Sequence, residues 1–118
     1  MATVDHVKSE DEGFTQRHTW SSLDQNATGN SSKVPGGADK SVQVTGDFGG
    51  GSTVVIEGSL EAVPTNWVTL TDYQGNDLSF TSSGLKPVAD AVIHIRPRVT
   101  SGDGSTDLVV TVVYRRTK

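Results

Sequence analysis

The sequence predicts an all-β domain, an antiparallel β-sandwich or closed barrel of about 7–8 short strands with an extended N-terminal arm. Three observations predict it. Apolar and polar residues alternate in several short stretches, clusters of Asn, Asp, Gly and Pro punctuate those stretches, and no segment repeats its apolar residues at the helical period.

The 118 residues suit one domain: residues 1–13 as a flexible arm and 14–118 as the sandwich or barrel, with a long loop at 24–39. Apolar residues make up 33% and there are 13 glycines, together a normal globular share. With no cysteine, the fold stands on packing or oligomerisation, not on disulfides or thiolate metal sites. Ten cations against 14 acids give a net charge of −4, which argues against non-specific nucleic-acid binding and against an anionic membrane surface. No stretch has the apolar core of a signal peptide or a membrane span, so synthesis in a cytosol is expected.

The elements follow in order. Met1 to Gly13 is polar and charged. Phe14 to Leu23 reads as a strand, with Phe14, Gln16, His18 and Trp20 on one face and Arg17 and Leu23 on the other. Asp24 to Asp39 has no period and four Gly or Pro residues, so it reads as loop. Ser41 to Thr45 alternates around Val42 and Val44, and Gly49 to Gly51 mark a flexible hairpin tip. Thr53 to Leu60 is β-branched, with Val54, Ile56 and Leu60 expected inward. Trp67 to Thr71 and Leu78 to Thr81 form a hairpin about the Asp72–Asp77 turn. Gly84 and Pro87 make Ser82 to Asp90 a loop. Ala91 to Val99 alternates most cleanly, with Ile93, Ile95, Pro97 and Val99 sharing a face, and Pro97 is expected at an edge or bulge. Asp107 to Tyr114 is the last strand.

Catalytic patterns are absent. His6, His18 and His94 have no G-x-S-x-G partner, so no hydrolytic triad is expected and the chain is read as a non-enzyme. No ligand cluster has zinc spacing. Asp72, Asn76 and Asp77 share a turn, as Asp103 and Asp107 flank another, but the calcium-loop pattern is missing and turn conformation alone demands these residues. The sequence leaves calcium at Asp72–Asp77 open and predicts no metal or cofactor. Gly46 to Gly51 lacks the Lys-Ser/Thr of a phosphate loop. Trp67, Tyr73 and Tyr114 would form a sugar platform only if brought together. From Ala91 onward there are five cations against two acids, which reads either as a solvated sheet face or as a basic patch that docks on an acidic protein partner.

A set of short motifs carries a family resemblance. It comprises the Val42–Gly46 strand, Gly58-Ser59, Asn66-Trp67, Thr69 to Asp72, Gln74-Gly75-Asn76, Ile95-Arg96-Pro97, Gly102 to Ser105 and the strand ending at Arg115-Arg116. In this order and spacing, over Trp20 to Arg116, the chain resembles the capsid decoration, or cement, proteins of tailed bacteriophages. Similar chains often carry Asn-Asp-Gly before the Asn-Trp, where this one has Leu60 to Thr65.

The resemblance implies a jelly-roll-like fold, no cofactor and no reaction. It implies a virion protein, made in the host cytoplasm, that binds the major capsid protein on the outside of the shell. There it would staple capsomers as a homo-oligomer, dimer or trimer. The residues expected to meet the partner are Phe14, Arg17, Trp20, Arg96, Arg98, Arg115 and Arg116. The alternative is a tail or fibre β-sandwich module that binds a cell-surface glycan or another virion protein.

Overall fold

The computed structural model describes residues 3–5, 7–11, 15–34 and 39–115, and the side chains of 3–5, 16–34 and 39–114. It is all-β: twelve strand segments among the described residues form two sheets that face each other as a sandwich, not a closed barrel. One sheet has seven segments and the other five. The count exceeds the expected one because five segments are only two residues long.

The five-stranded sheet runs β10 (Gly84–Val88), β6 (Lys40–Asp47), β12 (Asp107–Arg115), β3 (Thr15–Leu23), β2 (Val7–Asp11). All of its pairings are antiparallel. Val42 and Val44, Val110 and Val112, and Trp20 point inward and are almost fully buried, as period-two alternation requires. The seven-stranded sheet is centred on β7 (Thr53–Ser59) and β11 (His94–Ser101). On the far side of β11 lie β4 (Thr28–Gly29), with β1 (Thr3–Val4) parallel to it, and β5 (Ser32–Lys33). On the far side of β7 lie β8 (Val68–Thr69) and β9 (Ser79–Phe80). Val54, Ile56, Ile95 and Val99 face the other sheet and complete the core.

Several local expectations change. Of residues 1–13, read as a flexible arm, Thr3–Val4 and Val7–Asp11 form strands in the two sheets. The 24–39 stretch, read as loop, carries β4 and β5 and buries Ala27, Thr28 and Ser32. The loop expected at Ser82 to Asp90 contains β10, whose place at the sheet edge explains why Pro87 is tolerated. Pro97 lies instead in a central strand, but the ladder on its outer side is interrupted there. β5 pairs with His94 and Ile95, and β4 with Arg98, so nothing opposite Pro97 asks for an N–H. Gly29 sits beside it because a Cβ there would lie 2.6 Å from Pro97 Cδ and 2.7 Å from the Trp20 ring.

Trp20 and Leu23 were expected on opposite faces, yet both are fully buried. A β-bulge accounts for this. Ser22 takes a positive φ of 58°, and two residues of β3 oppose one of β12 between the Trp20–Val110 and Leu23–Leu108 pairs. Leu60, expected inward, is 69% exposed just past the end of β7. At one end of the sandwich the interior turns polar. Tyr114 OH donates to Gln16 Oε1, Ser32 Oγ meets His18 Nδ1, and the rings of His18 and Tyr114 meet edge to face at 5.3 Å. Lys40 is buried on the same inner face, and loss of solvation lowers its pKa while neighbouring Asp39 pulls it back up.

Candidate docking face

The inward set of β7 and β11 leaves Glu57, His94, Arg96 and Arg98 on the outer face of the seven-stranded sheet. Arg96 pairs directly with Glu57 across the ladder, and Arg98 with Val55. Arg96 Nε donates to Glu57 Oε1 at 3.0 Å and Arg98 Nε to Oε2 at 2.9 Å, so one carboxylate serves both guanidinia. Its side chain is 6% exposed while those of Arg96 and Arg98 are 24% and 41% exposed. The Arg96 guanidinium also lies 4.2 Å from the centroid of the Trp67 ring, a cation–π contact that fixes its plane. Lys33, exposed on β5, pairs with His94 and adds a third cation to the face. His94 is buried, and neither ring nitrogen has a hydrogen-bond partner among the described residues.

Past the end of β7 the face is bounded by a locked loop. Glu61 accepts hydrogen bonds from the backbone N–H groups of Thr65 and Asn66, both at 2.7 Å, and from Asn66 Nδ2 at 2.9 Å. These bonds, those from Asn66 first, hold its pKa down at about 2. The loop borders an open cleft of about 610 Å³ that includes Gly58, Leu60, Val68, Leu70 and Val92. At its floor a Cβ on Gly58 would come within 2.8 Å of Leu70 and 2.9 Å of Val92.

Among the described residues, the expected partner residues do not all converge. Only Arg96 and Arg98 share a described site. Arg17 is exposed, but on the five-stranded sheet, opposite Val113. Trp20, expected to meet the partner, is 0% exposed in the core, where its Nε1 donates to Asn30 O and Oδ1 at 3.1 and 3.0 Å. Arg115 ends β12 opposite Thr15, with its side chain outside the described set, and Phe14 and Arg116 lie outside the described residues altogether. The three aromatics do not form a platform. Tyr114 is buried, Tyr73 sits on the Asp72–Asp77 turn, and Trp67 lies against Arg96.

His18 and His94 are also apart, one in the interior and one on the outer face of the opposite sheet. In the Asp72 turn, Oδ1 accepts from Gln74 N and Asn76 N at 2.9 and 3.0 Å, so the carboxylate serves the turn itself. Among the described residues no group of three or more His, Cys, Asp or Glu is placed to hold a metal ion. Glu57 and Lys33 escaped sequence reasoning, and Trp67 was read as a sugar-platform candidate, not as a partner of Arg96; Glu57 left a trace as the lone charge in the Thr53–Ser59 run.

No family model matches the chain, and no curated protein matches it in sequence. Solved structures do match in fold. The SPBc2 prophage-derived protein YomS is similar with a TM-score of 0.60 at 12% identity, over 90% of this chain and 98% of that one. The g-type lysozyme inhibitor PliG of Aeromonas hydrophila has a TM-score of 0.46 at 12% identity, over 97% and 95% of the two chains. Only the first likeness is close enough to matter here, and it shows a shared β-sandwich fold.

Proposed function

We propose that the chain is a virion structural protein that docks on the outside of a phage capsid shell, binds the major capsid protein and holds neighbouring capsomers together. The observation that carries this reading is the end-to-end agreement in fold with a prophage-derived protein of matching length. The docking face fits the role. Arg96 and Arg98 are held in place by Glu57, and Arg96 also by Trp67, before any partner arrives, which lowers the entropy lost on binding. A modest contact suffices when it is repeated over a symmetric shell, and assembly as a dimer or trimer would multiply it further.

The test is reconstitution. Purified protein is added to shells that lack it, and co-sedimentation and heat resistance are measured. Saturable co-sedimentation with a raised disruption temperature supports the reading; shells that pellet without the protein overturn it.

A further inference from the structure

Arg96 and Arg98 each spend one hydrogen-bond donor, the Nε, on Glu57. Their terminal nitrogens make no other hydrogen bond among the described residues and reach solvent. That terminal edge is the fork that takes a carboxylate in two parallel bonds. The two arginines stem from positions two residues apart on one strand face, a backbone separation of about 7 Å. An extended peptide carries its own alternate side chains at the same pitch, about 7 Å.

We infer that Arg96 and Arg98 form a two-pronged receptor for an extended acidic segment of a protein partner, one with carboxylates at alternate positions. This deepens the shell-docking reading and rests on it for the identity of the partner. Charge complementarity selects the occupant. The chain is net −4, yet this face brings Lys33, Arg96 and Arg98 together around the Glu57 carboxylate. A nucleic-acid backbone offers anions too, but it needs a longer run of cations than this face has.

The experiment is fluorescence anisotropy with two labelled peptides of one composition, Glu at alternate positions in a Thr background against Glu at adjacent positions, and with labelled oligothymidylate. The alternating peptide is expected to bind at least about tenfold tighter than either competitor, and to weaken as salt rises. The triple variant Glu57→Gln/Arg96→Gln/Arg98→Gln avoids stranding a buried charge. It is expected to melt as a folded protein and to lose about tenfold or more in affinity. Equal affinity for the two peptides, tighter binding of oligothymidylate, or unchanged binding by the folded triple variant overturns the inference. Should Gln at all three positions unfold the protein, Arg98→Lys, which keeps the charge and loses the fork, is measured instead, and unchanged affinity overturns it.

Shell co-sedimentation of the same variants separates the two ideas. Wild-type protein that binds the peptide but not shells leaves the receptor and removes the shell. Variants that still bind shells leave the shell and remove the receptor.

Discussion

Single side chains set the limits of this molecule, and Trp20 shows how. Its ring is fully buried and its Nε1 is held by Asn30. Trp20→Ala is expected to destabilise by about 3–5 kcal/mol, and Trp20→Phe, which keeps a smaller aromatic ring but loses the bonds and part of the packed volume, by less, both measured by urea unfolding. Polarity could not reveal that placement, because Trp20 shares its face with Gln16 and His18, which are also buried. Glu57 was hidden for the opposite reason. A lone carboxylate in a β-branched strand reads as a solvated residue until its two arginines, some 40 positions later, arrive beside it. Glu61 makes a prediction in pH. Its folded-state pKa of about 2 lies below the ordinary 4.5, so its contribution to stability is complete above pH 4.5. As pH falls toward 2 the unfolded chain takes up the proton first, and that contribution is lost. Carboxyl NMR titration should find the Glu61 midpoint near 2, and Asn66→Ala should raise it. A wild-type midpoint near 4.5 would mean that the loop is open in solution.

At the level of elements, alternation made the long strands legible. β3, β6, β7, β11 and β12 fall close to the expected boundaries, because half-buried strands must show their two faces in sequence. Where the pattern broke, the reading broke with it. β10 was lost to Gly84 and Pro87, which an edge strand accepts. β4 and β5 were lost because a two-residue segment has no period, and Thr28 and Ser32 are buried by their neighbours, not by their own hydrophobicity. The docking face was half legible. Arg96 and Arg98 stood out by charge and spacing, while the strand and loop that hold them, with Glu57 and Trp67, lie far off in sequence. Gly46 tests the joint between β6 and β12. Its φ is +112°, and a Cβ there would lie 2.4 Å from the Asp107 carbonyl oxygen. Gly46→Ala is expected to cost about 1–3 kcal/mol in thermal or denaturant unfolding. Gly104→Ala, where a Cβ meets nothing within 4 Å, should change little and serves as the control.

Across the whole molecule, nearly every pairing in the two sheets joins distant parts of the chain. Thr19 and Thr111 meet across 92 positions, and β12 sits between β6 and β3 at the middle of its sheet. Closing such loops before any contact rewards them is slow. Stopped-flow refolding, followed by Trp20 fluorescence in a Trp67→Phe background, is expected to fall in the range of about milliseconds to seconds. Microsecond refolding would contradict the topology. The placement of β12 also bears on how the protein is made. A strand at the centre of its sheet is the last of the twelve to be synthesised. Until residue 115 has cleared the ribosome, β3 and β6 have no common neighbour, and their inner faces lie open to water and to other nascent chains. The sandwich therefore closes in one late event instead of growing with the chain. Chaperones that bind such exposed faces have their window before that event.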